Sequence, residues 1–134
     1  MLFRSPDNLW RLRLCLARCE FLSSKSELAL ETCREALARL ERSGDRLGQA
    51  RFHEESARIQ RSMNDTRATL SHLERAVECH GATGDRHGLI DDLLLLAELD
   101  ADSRRRRAEE ALALAMRIGY GAGLSRARRL LDKA

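Results

Sequence analysis

The stretch Gly44-Asp45-Arg46-Leu47-Gly48 returns forty residues on as Gly84-Asp85-Arg86-His87-Gly88. The surroundings repeat with it: Ala36-Leu37 precedes the first copy and Ala76-Val77 the second, at the same offset. A degenerate third copy follows after thirty-five residues, where Ala111-Leu112 leads into Gly119-Tyr120-Gly121-Ala122-Gly123. A period of this length inside a helical pattern is that of stacked helix pairs, each too small to bury its apolar face alone. Such arrays present surface to something else. The repeat therefore points to recognition as the kind of work, and leaves the partner unnamed.

The chain of 134 residues is long enough for one domain with a modest core. Charged residues make up 34% and aromatics only 4%, so the apolar share comes mainly from Leu and Ala, both good helix formers. There is one proline, Pro6, and no alternating run rich in β-branched residues; an all-α fold follows. The 24 basic and 21 acidic residues nearly balance, leaving a net charge of +3, which does not call for nucleic acid. Arg4, Arg11, Arg13 and Arg18 interrupt every apolar window near the start, so neither a secretory leader nor a membrane span is expected there. The expected setting is a reducing cytoplasm, with Cys15, Cys19, Cys33 and Cys79 as free thiols.

Turn and cap residues divide the chain into seven expected helices. Ser5-Pro6-Asp7 starts the first, with Ser5 as cap, and it runs to about Leu22. Ser24-Lys25-Ser26-Glu27 reads as a capping box for the second, which ends near Arg42 before Gly44. Asp45 caps a third helix to about Ser62, and Asn64-Asp65-Thr66 opens a fourth that ends near His80. Asp85 starts a fifth to about Leu99, Asp100-Ala101-Asp102-Ser103 caps a sixth to Ile118, and the seventh covers about Leu124 to Asp132. Turns of a few residues make neighbouring helices antiparallel, giving three and a half hairpins in one domain over residues 1–134.

The second helix of each pair carries small or apolar residues at a fixed spacing: Ala29, Cys33 and Ala36; Thr69, Leu73 and Ala76; Arg104, Ala108 and Ala111. Ala17 and Ala57 stand twelve residues before Ala29 and Thr69. Small residues at this spacing let two helix axes approach closely. The pattern resembles the tetratricopeptide repeat, in its longer, divergent form with glycine-aspartate turns. It departs from that family at the aromatic before the last alanine, here Cys33, Leu73 and Ala108, and at the missing proline after the second helix. The resemblance implies a superhelical stack of antiparallel hairpins and a non-catalytic scaffold or regulatory module. It equally implies, as an alternative, the ligand-sensing input segment of a larger bacterial transcriptional or signalling regulator.

In that family the first helix of each pair lines a concave surface. On the Ala17/Ala57 alignment the concave positions are Arg11, Leu14, Arg18 and Phe21, then Arg51, Glu54, Arg58 and Arg61. Five of these eight are arginines, whose forked guanidinium suits carboxylates, so an acidic peptide or helix is the expected ligand. The competing reading is a solvated charged face partly neutralised by Glu20, Glu54 and Glu55.

The fifth helix holds Leu93, Leu94, Leu95 and Leu96 in succession, and the seventh ends in Leu130-Leu131. Array ends need polar caps, so these leucines are expected either to be buried or to mediate a homodimer. The third helix has only thin apolar stripes and is expected to be the more exposed one. Arg104 to Arg107 read as a solvated helix start without the interleaved aromatics of a nucleic-acid site. Cys15 and Cys19, four residues apart, read as small buried apolar side chains. His53, His72, His80 and His87 form no triad or metal spacing, and GDRLG is turn chemistry, so no catalytic residue, metal or cofactor is expected.

Overall fold

The computed structural model describes residues 9–134, so the expected start at Ser5-Pro6 lies outside them. The described residues are helical nearly throughout: α1 (Leu9–Leu22), α2 (Ser26–Ser43), α3 (Arg46–Ser62), α4 (Thr66–Thr83), α5 (Arg86–Leu99), α6 (Arg104–Ile118) and α7 (Gly121–Lys133). The fold is all-α, with seven helices and no strand among these residues. Two compact units divide it inside α4, one ending at Cys79 and the other beginning at His80. None of these helices is long and apolar enough to cross a membrane.

The repeated glycine-aspartate turns have one construction. Gly44, Gly84 and Gly119 adopt φ of +76°, +80° and +74°, left-handed values that end the helix before them. Asp45 and Asp85 then cap the next helix, each accepting a hydrogen bond from the backbone N–H three residues on, Gly48 at 2.9 Å and Gly88 at 3.0 Å. Tyr120 stands at the third cap position and makes no such bond. The second glycine of each motif is needed for close approach. A Cβ at Gly48 would lie 2.8 Å from Leu40 Cδ2, and one at Gly88 would lie 2.6 Å from His80 Cε1.

The turns inside the hairpins differ from expectation. Ser24 and Asn64 take the left-handed conformation at φ +64° and +63°, and Lys25 before α2 makes no side-chain cap bond, so the capping box does not form. Ser24 is spent on reversing the chain and cannot cap. Before α4 one side chain of the three expected caps does the work: Asp65 Oδ1 accepts from the Ala68 N–H at 3.1 Å. α4 also continues past His80 to Thr83, because Gly81 stays helical. At the corresponding point before α6 a 3-10 turn, Ala101–Ser103, replaces the left-handed residue. α5 has 14 residues where α3 has 17, and the repeat shortens there.

In the first unit α1, α2 and α3 pack on one another. Ala17, Ala29, Cys33, Ala36 and Ala57 are all buried to 1% exposure or less, as close-packing positions should be. Around them lie Trp10, Leu40, Phe52 and Ile59. In the second unit α5, α6 and α7 pack together over Leu93, Leu94, Leu96, Ala108, Ala111 and Ala127, each essentially inaccessible.

Candidate functional site

α3 was expected to be thinly packed and exposed; it is instead the most polar buried helix of the first unit. Gln49, His53, Glu55 and Ser56 are buried together with Phe52, Ala57 and Ile59. Its apolar stripe is narrow because polar side chains complete it, each finding a partner. Gln49 Nε2 donates to the Leu40 carbonyl at 3.1 Å, tying α3 to the end of α2. His53 Nδ1 meets His72 Nδ1 at 3.0 Å, so one ring donates and the other accepts. Burial, then His72 and Arg75, hold the His53 pKa down at about 4; burial and Arg75 lower that of His72. Both rings are therefore neutral near pH 7. Burial also pushes the Cys33 thiol up to about 11, against a hydrogen bond with Ser56 that works the other way.

Glu55 is the centre of the arginine face. Its carboxylate is 1% exposed, and Oε1 accepts from Arg18 Nη2 at 2.9 Å and from Arg58 Nη1 at 2.7 Å. Arg18 Nε adds a longer bond at 3.3 Å. Oε2 is buried and has no hydrogen bond. The two guanidiniums stay about half exposed, at 53% and 56%. Each carries five N–H donors, and Glu55 occupies two of Arg18's and one of Arg58's. The remaining donors are left at fixed positions on the surface of α1 and α3.

The other expected site residues divide. Arg51 pairs with Glu54 on the same helix at 3.5 Å. The Arg11 guanidinium lies 4.5 Å from the Trp10 ring centroid, a cation–π contact. Arg61 is exposed. Leu14 and Phe21, expected at concave positions, pack against the core instead. The arginine row does not continue in the second unit. Forty residues after Arg51 and Arg58 stand Asp91 and Glu98. Asp91 accepts from Tyr120 Oη at 2.9 Å, the chief reason the tyrosine pKa is raised, and Glu98 pairs with Arg126 at 2.6 Å. Carrying the forty-residue offset one step further in the sequence shows this change of sign.

The leucines expected to mediate self-association are accounted for inside their own unit. Leu93, Leu94 and Leu96 are fully buried, Leu130 is 6% exposed, and Leu95 and Leu131 are half-buried. Burial, one of the two readings offered for this run, describes Leu93, Leu94 and Leu96 in a helix that packs on both α6 and α7. The strongly exposed leucines lie elsewhere, Leu9, Leu12, Leu16 and Leu22 on α1 and Leu28 on α2. Cys15 and Cys19 are likewise exposed, against the expectation of burial, while Cys33 and Cys79 are buried.

The four arginines of α6 also separate. Arg104 donates to the carbonyls of Ala97 at 2.8 Å and Glu98 at 3.2 Å, satisfying the last turn of α5. Arg107 is buried and donates to Ser103 Oγ at 3.1 Å. Arg105 and Arg106 remain exposed. In the second unit the buried His80 ring lies beneath Gly88 between Asp85, 3.2 Å from Nδ1, and Asp92, 3.4 Å from Nε2. An open pocket of about 360 Å³ between α1 and α2 is lined by Trp10, Arg13, Arg39 and Arg42. Arg39 and Arg42 stand at the C-terminal end of α2, where cations offset the helix dipole.

A scan of the chain against protein-family models gives no match, and a search of curated proteins gives none.

Proposed function

We propose that this chain is a non-catalytic protein-interaction module of tetratricopeptide-like helical hairpins, and that the arginine face of α1 and α3 takes an acidic peptide or helix. The observation that carries this reading is the arrangement around Glu55. A buried carboxylate pins two half-exposed guanidiniums from different helices at one point. Long side chains normally lose about 2 kcal/mol of rotamer entropy when a ligand fixes them. Here the fold has already ordered Arg18 and Arg58, so an incoming carboxylate meets donors that are already in place. Arg11, Arg51 and Arg61 lie on the same two helices and extend the basic surface beyond that centre. The net charge of Arg11, Arg18, Arg51, Arg58 and Arg61 with Glu54 and Glu55 is +3, counting five cations and two anions. Exposed pairs contribute about 0–1 kcal/mol each, so affinity would come from several acting together and would fall with salt.

The experiment is a fluorescence anisotropy titration of the whole chain with a labelled helical peptide rich in glutamate, and with its glutamine counterpart as control. The glutamate peptide should bind preferentially and weaken as salt is added. Arg18→Glu/Arg58→Glu should weaken it roughly tenfold or more. Arg11→Glu/Arg61→Glu, which leaves the Glu55 pairs intact, should weaken it to a lesser degree. Equal binding of both peptides, or affinity unchanged by salt and by both double variants, would contradict the proposal.

A further inference from the structure

α1 is apolar on two opposite sides. On one, Trp10 and Ala17 are buried, with Leu14 and Phe21 against the same core. On the other, Leu9, Leu12, Leu16 and Leu22 are exposed, Leu12 by 68% and Leu22 by 75%. Cys15 and Cys19 are exposed among them. With 3.6 residues per turn these six side chains fill an arc of roughly 140°. None of the charged residues of α1, namely Arg11, Arg13, Arg18 and Glu20, falls within it. A solvent-facing side of a helix is ordinarily polar, so an unbroken apolar arc marks a surface that is covered.

The edges of the arc specify the occupant. Arg13 and Glu20 lie seven residues apart along one edge, both half-buried, and Glu20 Oε1 also accepts from Thr32 Oγ1 at 2.7 Å. In a two-fold antiparallel pair of helices the same edge of each copy meets its counterpart. Arg13 of each copy then stands beside Glu20 of the other, twice per dimer. A parallel pair would instead set Arg13 and Glu20 against the edge of Arg11 and Arg18, whose guanidiniums are already engaged by the Trp10 ring and by Glu55. The geometry points to a homodimer built by antiparallel pairing of two α1 helices through Leu9, Leu12, Leu16 and Cys19, with Arg13 and Glu20 setting the direction.

Sedimentation velocity of the full chain over a dilution series tests this, in reducing buffer. The expected result is twice the chain mass, with dissociation on dilution. Leu12→Glu/Leu16→Glu should give a monomer with unchanged helical circular dichroism. Arg13→Glu should weaken the dimer severalfold, and adding Glu20→Arg should restore it, a rescue that only the antiparallel pairing produces. A short bismaleimide should join two copies, and Cys15→Ser/Cys19→Ser should abolish the crosslink. A monomer at every concentration would overturn the proposal, and so would a dimer indifferent to the leucine substitutions. A monomeric parent that unfolds on Leu12→Glu/Leu16→Glu would also overturn it, since the arc would then be covered by the chain itself.

Discussion

Gly81 and Gly88 stand seven residues apart and make opposite demands on substitution. A Cβ at Gly88 would come within 2.7 Å of His80 Nε2 and Asp85 Oδ2, and the His80 ring is fully buried and cannot retreat. Gly88→Ala should destabilise by about 1–3 kcal/mol through overpacking. Gly81 is helical with nothing near its missing Cβ, so Gly81→Ala should stabilise by about 0.5–1 kcal/mol. Urea midpoints moving in opposite directions would bear out both; a neutral Gly88→Ala would mean the second glycine serves the turn alone. The sequence displayed the repeated glycine but hid its reason, because the residue beneath is Leu40 in one copy and His80 in the next. The His53–His72 contact was equally hidden: nineteen residues separate the two, and only the packing of α4 on α3 joins them. Burial of His53, with His72 and Arg75 beside it, makes stability depend on pH in a defined direction. The folded state holds His53 at about 4, below the unfolded value of 6.5, so the unfolded chain takes up the proton first. The contribution is fully present above pH 6.5 and should drain away as pH falls toward 4. His53→Gln should flatten that part of the stability curve measured by thermal unfolding. An identical pH slope in parent and variant would show that the neutral pair is not what titrates.

At the scale of the element, α3 shows where pattern reading fails. Apolar periodicity counts leucines and valines, and α3 has few, so it reads as an exposed helix. Its buried face is completed by Gln49, His53, Glu55 and Ser56, whose hydrogen-bond partners lie on other helices, save Arg58 one turn after Glu55. Such partnerships depend on tertiary placement, which no local window carries. Glu55 is the sharpest instance, since it joins α3 to α1 through Arg18. Glu55→Gln should cost about 1.5–3 kcal/mol, the usual range for hydrogen bonds to a charged group. The result is checked by denaturant unfolding, and an unchanged midpoint would make the triad incidental. The close-packing alanines, by contrast, were legible, because their spacing is itself the signal. Ala36 is 1% exposed between helix axes, and Ala36→Leu should cost about 1–3 kcal/mol. A stability equal to the parent's would mean that α2 can move away from its neighbours at no cost. The leucine run of α5 was legible as apolar on all sides but not as interior or interface. That distinction turned on α7 packing against it.

At the scale of the molecule, the repeat announced a chain of helical hairpins, and the all-α fold, the seven helices of the described residues and most of their turns follow from glycine and aspartate positions. The shortening from forty to thirty-five residues was visible, but its origin in a shorter α5 and a 3-10 turn was not, because residues 100–103 read as caps. The arginine positions on α1 and α3 were readable from the resemblance to tetratricopeptide repeats. Their division into Glu55-bound, ring-bound and exposed guanidiniums needed coordinates. The same holds for Cys15 and Cys19, read from the sequence as buried and found exposed on α1. The proposed partner site is the α1–α3 arginine face. It is tested most directly by nuclear magnetic resonance, following the arginine Nε–H and backbone amide signals while a glutamate-rich helical peptide is added. Shifts should concentrate on Arg11, Arg18, Arg51, Arg58 and Arg61 and fade as salt is raised. Shifts confined to the Leu12 and Leu16 side of α1, or spread evenly over both units, would contradict it.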